Sequence, residues 1–317
     1  MHIRTWQADL VLLAITAIWG ATFPMVKNAT SLAAGGVPTY WFLAVRFLMA
    51  TILLAAVFHR RLRGLSSAPW RAGILLGVFL FAGYALQTFG LAYTTSAKAA
   101  FITGLSVVIV PVLSVVWLRA TPSLGAWLGV LTALAGLALL SLGDSLVPTH
   151  GDLLVLLGAV GFGLHVAGIS RFGTQHDRYA LTVIQLGTAG VLAALLHLAE
   201  RGTLGPGVPG VLWWDAPARV FAAIVVCGLL ATAAAFLLQN LLQPHTTATH
   251  TALIFAAEPV WGAIFAFLLA GEVLTPRGYT GAALIVAGML LAELPVGRNR
   301  QATAIRAEAA SLPENEC

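Results

Sequence analysis

Long apolar runs, each ended by proline, glycine or charged residues, dominate the pattern of the chain. They predict ten helices of about 20 residues, the length at which a helix spans roughly 30 Å of hydrocarbon. The predicted spans are 9–29, 38–58, 71–92, 97–118, 123–142, 152–171, 180–198, 219–241, 248–270 and 276–294. The pattern therefore predicts an all-α integral membrane protein with ten transmembrane helices.

The composition agrees with this interpretation and excludes several classes of protein. Hydrophobic residues make up 59% of the 317 positions and charged residues only 9%, whereas soluble chains carry about 25% charged residues. A soluble enzyme, a secreted disulfide scaffold and a nucleic-acid binder are excluded on this ground. The two cysteines, Cys227 and Cys317, form no disulfide or metal-ligand spacing, and no nucleotide-binding motif appears. We therefore expect no cofactor and no metal.

The positions of the basic residues predict the orientation in the membrane. With the N-terminus inside, eleven arginines fall on the cytoplasmic side and three (Arg201, Arg219 and Arg277) on the outer side. Basic loops resist transfer across the membrane. This bias predicts a multi-pass protein of the cell (inner) membrane with both termini cytoplasmic. The polar stretch 297–317 is predicted to be a disordered cytoplasmic tail.

A shift of 152 positions superposes one half of the chain on the other. The shift brings together these residues: Gln87 and Gln239, Thr94 and Thr246, Gly129 and Gly281, Gly136 and Gly288. It maps predicted spans 3–5 onto spans 8–10. Because each half contains an odd number of spans, the halves must cross the membrane in opposite senses. We therefore predict two inverted five-helix repeats, residues 1–150 and 151–296, an architecture typical of secondary transporters with a binding site near the midplane.

Several segments resemble one family of transporters. These are WGATFPMVK (19–27), the pair Arg46–Phe47, GYALQTFGLAYTTSAKAAFITGLSVVIVPVL (83–113), and QNLLQPHTTATHTALIFAAEPVWGAIFAFLLAGEVL (239–274) followed by Gly281 and Gly288. In these features the chain resembles a ten-helix, EamA-like member of the drug/metabolite transporter superfamily. The resemblance implies export or exchange of small metabolites, amino acids or drugs.

Glu258 lies about eleven residues into the ninth span, roughly 16 Å deep at the rise of an α-helix, and an ionisable group at that depth is costly. The following Pro259 loosens the helix, and Pro111 is displaced from it by four residues under the repeat. We predict that Glu258, Pro111 and Pro259 serve proton coupling or gating. The alternative is a protonated Glu258 that only fixes helix packing. Residues His250, Ile254, Glu258, Trp261 and Phe265 recur on one face of this predicted helix.

Arg46 lies about eight residues into the second span and cannot shed its charge. Three partners are open to it: Glu258, the carboxylate of a substrate, or backbone carbonyls near the rim of the membrane.

Other polar and aromatic residues within the spans are candidates for the wall of a substrate site. The predicted substrate-binding set is Trp19, Phe23, Arg46, Tyr84, Gln87, Thr103, Ser106, His165, Gln239, Asn240 and Trp261. The alternative for the aromatic members is core packing, and for the amides it is hydrogen bonding between helices. Lys98 and His250 are expected to anchor helix ends at the interface. The pairs Gly73/Gly77 and Gly125/Gly129 are expected to serve scaffold or dimer contacts.

The sequence as a whole predicts a secondary active transporter, an exporter or exchanger of a small metabolite that works by alternating access, with proton coupling or exchange as its energy source. A polytopic enzyme acting on lipid-linked substrates and a channel are the alternatives. The expected partners are a small-molecule substrate and the lipid bilayer, with no nucleic acid, and the chain is expected to be a monomer or homodimer.

Overall fold

The computed structural model describes residues 5–32, 35–94, 96–141, 149–204, 217–270 and 275–293. Within these residues the chain forms helices and turns. The helices are α1 (Thr5–Thr30), α2 (Thr39–Phe58), α3 (Ser67–Leu91), α4 (Ser96–Gly104), α5 (Ser106–Val116), α6 (Leu124–Ser141), α7 (His150–Phe172), α8 (Arg178–Leu204), α9 (Ala218–Val225), α10 (Ala235–Leu242), α11 (Ala248–Phe255), α12 (Glu258–Ala270) and α13 (Pro276–Glu293). The predicted tail 297–317 and Arg4 lie outside the described residues.

Seven helical segments of the described chain are long and apolar enough to cross a membrane. They are Thr5–Thr30, Thr39–Leu62, Ser67–Leu91, Ala99–Val116, His150–Phe172, Arg178–Glu200 and Ala218–His245, and the apolar segment Leu124–Leu139 is shorter. The protein is therefore an all-helical, multi-pass membrane protein, as predicted. The number of ten crossings stays a prediction.

Two of the predicted spans, 97–118 and 248–270, are each split into two helices. The first is interrupted at Leu105, between α4 and α5, and the second at Ala256 and Ala257, between α11 and α12. The shift of 152 carries Leu105 onto Ala257, so the two breaks coincide although the two prolines do not. Pro259 is the second residue of α12, where its missing N–H costs no helical hydrogen bond.

The predicted span 219–241 contains a π-helix. Residues Val226–Ala234 form this wider turn between α9 and α10, and the side-chain oxygen of Thr232 donates to the carbonyl of Cys227 at 2.7 Å. π-helical turns are rare and frequently occur at functional sites. Here the turn places the Ala231 carbonyl and the Thr232 hydroxyl against α1 and α2.

The helices α6 and α13 cross closely through glycines. A Cβ added to Gly129 would lie 2.5 Å from the Gly288 oxygen, and one added to Gly136 would lie 2.6 Å from the Gly281 oxygen. An early residue of each helix meets a late residue of the other, so the two helices run antiparallel. The shift of 152 converts each of these contacts into the other.

Two glycines of α3 also lie at a close contact between helices of this chain. A Cβ on Gly73 would lie 2.6 Å from the Ile184 side chain, and one on Gly77 would lie 2.5 Å from Thr188. These glycines let α3 approach α8 of the same chain. The predicted role as scaffold contacts therefore holds for Gly73 and Gly77 without a second subunit.

One end of the bundle is marked by contacts of Lys27 and Thr94. The Lys27 ammonium donates to the Thr94 carbonyl at 2.7 Å, and the Thr94 hydroxyl donates to Asp152 Oδ1 at 2.5 Å. Lys27 lies in the last turn of α1 and Asp152 in the first turn of α7. The end of α1 and the start of α7 therefore lie at the same end of the bundle, and these two helices run in opposite directions.

Candidate functional site

A cavity of about 70 Å³ lies among the helices of both halves. Its volume is several times the minimum that one water molecule requires. The lining residues are Trp19, Thr22, Phe23, Val26, Arg46, Tyr84, Gln87, Thr88, Leu91, Thr103, Gly104, Ser106, Phe162, His165, Val166, Phe236, Gln239, Phe255 and Glu258. Val26 and Leu91 belong to the last turns of α1 and α3, so the cavity extends from the middle of the bundle towards that end.

The structure brings nine of the eleven predicted substrate-binding residues to this cavity, together with Glu258. Asn240 and Trp261 are the two that do not line it. Asn240 is fully buried and donates to the Phe236 carbonyl of its own helix at 2.9 Å, and Trp261 packs against Gly20 of α1. Neither Pro111 nor Pro259 lines the cavity.

The guanidinium of Arg46 is anchored on one side by neutral groups. Its Nε donates to the Thr232 hydroxyl at 2.6 Å, and one Nη lies 3.3 Å from the Tyr84 hydroxyl and 3.5 Å from the Ala231 carbonyl. The guanidinium carbon is 4.6 Å from the centre of the Tyr84 ring, within the range of a cation–π contact. Arg46 is only 2% exposed, so these contacts fix a buried cation in the cavity wall.

Arg46 and Glu258 line the same cavity without forming an ion pair. No contact within 4 Å joins their charged atoms in the part of the chain that the structure describes. Direct pairing of Arg46 with Glu258, one of the three predicted alternatives, is therefore not observed. Glu258 is the first residue of α12, and the positive end of a helix dipole favours a carboxylate at that position.

Aromatic rings form the apolar wall of the cavity. Trp19 lies 5.5 Å from Phe236 and 5.1 Å from Phe255, and Tyr84 lies 5.0 Å from Phe162, all measured between ring centres. The indole nitrogen of Trp19 donates to the Ala231 carbonyl at 2.9 Å. The π-helical turn thus holds both Trp19 and Arg46.

The neutral polar groups of the wall are held by neighbouring helices. Gln87 Nε2 donates to the Thr103 hydroxyl at 2.8 Å, and His165 Nε2 lies 2.9 Å from Gln185 Oε1. Gln239 Nε2 donates to Gln243 at 2.9 Å, while the buried Gln239 Oε1 has no hydrogen-bond partner among the described residues. These side chains can offer further hydrogen bonds to a solute.

Four pairs of lining residues are related by the shift of 152. They are Tyr84 and Phe236, Gln87 and Gln239, Thr103 and Phe255, and Ser106 and Glu258. The last two pairs flank the two helix breaks. The cavity is therefore built from corresponding positions of the two halves, with different side chains on each side.

The sequence prediction missed several residues of the site. The rings of Phe236 and Phe255 line the cavity, and both could have been found by applying the shift of 152 to the predicted residues Tyr84 and Thr103. Thr232 gives no comparable signal, because its contact with Arg46 depends on the π-helical turn.

Two segments of the chain, residues 6–142 and 149–294, match the EamA-like transporter family. The chain belongs to this family. An uncharacterized transporter from Archaeoglobus fulgidus is 30% identical over 298 residues, covering 93% of this chain and 88% of that protein. The uncharacterized transporter YyaM from Bacillus subtilis is 24% identical, covering 89% of this chain and 92% of its own. A crystal structure of a protein 19% identical to this chain matches its fold with a TM-score of 0.74, covering 93% of this chain and 99% of the other.

Membership in the EamA-like family confirms the resemblance and the prediction of a transporter rather than an enzyme. Counted from the starts of the two matched segments, Trp19 corresponds to Phe162, Thr22 to His165, and Phe23 to Val166. All six of these residues line the cavity. The first helix of each EamA segment therefore contributes to the same wall.

Proposed function

We propose that the protein is a secondary transporter that moves a small metabolite by alternating access, as an exporter or exchanger, through the cavity around Arg46. Its substrate carries an anionic group and an apolar body, as an amino acid or a drug-like compound does. The membrane helices and the transporter family support transport in general.

The anchored guanidinium of Arg46 is the observation that carries the choice of substrate. A buried cation needs a compensating anion or carbonyls, and the described partners of Arg46 are neutral. A substrate carboxylate in the cavity would complete this environment with charge-assisted hydrogen bonds. The rings of Trp19, Phe236 and Phe255 would contact its apolar part.

Glu258 is the proposed site of proton coupling. It lines the cavity that contains Arg46 and makes no ion pair with that residue among the described contacts. When the substrate anion occupies the cavity and balances Arg46, a proton on Glu258 would avoid a second negative charge for which no cation is left. Release of the substrate would let the carboxylate ionise, so that proton and substrate would cross the membrane together. Export would then follow an outward gradient of the substrate, and exchange of one solute for another would need no net proton movement.

An inverted arrangement of the halves supports alternating access. The antiparallel crossing of α6 and α13 and the opposed directions of α1 and α7 are what two oppositely inserted repeats would produce. We place both termini in the cytoplasm, following the arginine distribution. The last turns of α1 and α3, towards which the cavity extends, would then face the outside of the cell.

Solute counterflow in proteoliposomes tests the proposed function. Vesicles loaded with one unlabelled solute should take up the same labelled solute faster than empty vesicles do. A panel of amino acids, nucleosides and cationic drugs, with and without a proton gradient, covers the relevant classes of solute. We expect counterflow for solutes that bear a carboxylate. Arg46→Gln should reduce this counterflow about 10- to 100-fold, as for loss of hydrogen bonds to a charged group.

The alternatives give different results in the same assay. An enzyme gives no counterflow, and a channel gives flux without acceleration by solute on the opposite side. A carrier whose preferred solutes lack an anionic group, and which tolerates Arg46→Gln, would contradict the role of Arg46.

A further inference from the structure

Asp152 joins the two halves at the end of the bundle where α1 ends. Its Oδ1 accepts from the Thr94 hydroxyl at 2.5 Å, and its Oδ2 accepts from the backbone N–H of Thr149 at 2.8 Å. The Thr94 carbonyl also accepts from Lys27 at 2.7 Å. Thr94 lies in the connection from α3 to α4, in the first half, whereas Asp152 opens α7 in the second half. We call the contact of Asp152 with Thr94 the Asp152 latch.

Asp9 joins the halves at the opposite end. Its Oδ2 lies 3.4 Å from His250 Nε2, and the two side chains are 23% and 15% exposed. Asp9 belongs to the start of α1, and His250 is the third residue of α11. His250 therefore contacts α1, and its anchoring at the membrane interface stays a prediction. We call the contact of Asp9 with His250 the Asp9 latch.

The two latches occupy corresponding places in the two halves. Asp9 is the fourth residue of the first family segment, and Asp152 is the fourth residue of the second. Their partners lie at corresponding points too, because Thr94 precedes the broken helix α4–α5 and His250 starts the broken helix α11–α12. The shift of 152 carries Thr94 onto Thr246, one turn before His250. The Asp9 latch thus connects the first helix of one half to the broken helix of the other, and the Asp152 latch connects the first helix of its half to the segment directly before the broken helix of the other.

The two latches differ in how completely their carboxylate oxygens are hydrogen-bonded. Both carboxylate oxygens of Asp152 have partners. Asp9 Oδ1, by contrast, is buried and has no hydrogen-bond partner among the described residues. A buried acceptor without a donor is costly. The Asp9 latch is therefore the more weakly satisfied of the two in this conformation.

We propose that the Asp9 and Asp152 latches are the two gates of this transporter, one closing each end of the cavity, and that they open in alternation. This inference rests on the proposed function. The helices at or directly after each latch also line the cavity, through Trp19 and Phe255 for one pair and Ser106 and His165 for the other. Exposure of the cavity at one end requires those two helices to separate there. The released carboxylate is then hydrated by the entering water, so no unpaired charge stays buried.

Thiol labelling from each side of the membrane tests the gates without a known substrate. The reporter is Ser106→Cys in a background carrying Cys227→Ala and Cys317→Ala, labelled by a membrane-impermeant maleimide. Thr94→Val weakens the Asp152 latch and should raise labelling from that side relative to the other side. Asp9→Asn weakens the Asp9 latch and should shift the ratio in the opposite direction. The shift for Thr94→Val should be about tenfold, as for loss of one charge-assisted hydrogen bond. The shift for Asp9→Asn, which weakens a partly exposed ion-pair contact, should be smaller, up to about fivefold.

Thr132→Val is the matched control for Thr94→Val, because Thr132 is a partly exposed threonine whose hydroxyl donates to the Leu128 carbonyl of its own helix. It should leave the labelling ratio unchanged. Labelling that moves in the same direction in both latch variants, or in neither, would overturn the proposal. If the two shifts are opposite but no solute shows counterflow, the gates stand and the proposed transport function fails.

Cross-linking supplies a second measurement. Thr94→Cys with Asp152→Cys, and separately Asp9→Cys with His250→Cys, are linked by a short, reducible bifunctional thiol reagent. Each link should abolish counterflow of a carried solute, and reduction should restore it. A static contact would tolerate the link, so undiminished counterflow after complete cross-linking would refute the role of that latch as a gate.

Discussion

The two broken helices, α4–α5 and α11–α12, have the same backbone plan and different chemistry. In both, two residues that flank the break line the cavity. The breaks end at Leu105 and at Ala257. One lining residue lies two positions before each of these, and the other follows it directly. In the first helix these are Thr103 and Ser106, which carry neutral hydroxyls. In the second they are Phe255 and Glu258, an aromatic ring and a carboxylate.

The backbone break is common to both halves through the repeat, whereas the side chains beside the break are particular to each half. The shared break brings two backbone interruptions to one cavity, as discontinuous helices do at the binding sites of many secondary transporters. The unshared side chains make the site asymmetric, with hydrogen bonding on one wall and an acid with an apolar ring on the other. The asymmetry predicts that corresponding substitutions in the two halves have different consequences.

Substitution of Glu258 should have the largest effect. Glu258→Gln keeps the shape of the side chain but removes its ability to exchange a proton. We expect accumulation driven by a proton gradient to fall to the level of protein-free liposomes. Counterflow needs no net proton movement and should persist. Both quantities are measured with the same labelled solute in the same proteoliposomes.

The corresponding residue of the first half supplies the control for Glu258. Ser106→Ala should leave the dependence on the proton gradient intact, because no acid occupies that position. If Glu258→Gln retains gradient-driven accumulation, then Glu258 serves packing alone, and proton coupling must be assigned elsewhere or abandoned.

The positions before the breaks should show a smaller, selective effect. Thr103→Val removes the acceptor of the Gln87 hydrogen bond, whereas Phe255→Leu removes the ring contact with Trp19. Each interaction is worth about 0.5–1.5 kcal/mol, so half-saturating concentrations should rise about two- to tenfold. Thr103→Val should weaken the binding of polar solutes more strongly. Phe255→Leu should weaken the binding of solutes with larger apolar groups more strongly.

Competition in counterflow measures this selectivity. A series of solutes that share one carboxylate and differ in their side groups is tested against both variants. If both variants weaken the binding of the solutes in the same rank order, the two walls do not contact different parts of the solute.

Much of the cavity could be predicted because buried polarity in a membrane is costly. Arg46 and Glu258 are conspicuous in apolar runs, and the shift of 152 relates Gln87 to Gln239 without reference to structure. The orientation of side chains around a helix was harder to predict. Asn240 follows Gln239 directly, and one residue turns the helix by about 100°, so Asn240 points away from the cavity that Gln239 lines.

The features of the site that could not be predicted depend on contacts between residues distant in the sequence. Glu258 and Trp261 lie three residues apart in the same helix, α12, so helical periodicity alone predicted that both would line the site. The close approach of α12 to Gly20 of α1 leaves Trp261 against that glycine instead. The role of Thr232 needed the π-helical turn, which no local residue pattern announces. Asp9 carried a signal, an acid in the first apolar run, and its partner His250 became visible only through the fold.

Substitution of the two prolines should have the smallest effect. It tests whether the helix breaks are caused by the local sequence or by tertiary packing. Pro111 and Pro259 are offset by four residues under the shift, yet the breaks coincide. Packing offers a better explanation: a Cβ on Gly20 would lie 2.6 Å from the Glu258 carbonyl, and one on Gly104 would lie 3.0 Å from Leu137. Close contacts of this kind, with the α12 backbone at Gly20 and with a side chain of α6 at Gly104, favour a cause of the breaks outside the broken helices.

Pro259→Ala and Pro111→Ala should therefore each change counterflow by less than about twofold, the scale of a few tenths of a kcal/mol. Pro259 lies in the first turn of α12, where alanine gains no necessary hydrogen bond. The thermal midpoint of the purified protein serves as the folding control for both variants. A properly folded Pro259→Ala protein that loses more than tenfold of its counterflow would show that the proline itself makes the break. The coincidence of Leu105 with Ala257 would then need separate local causes in the two halves.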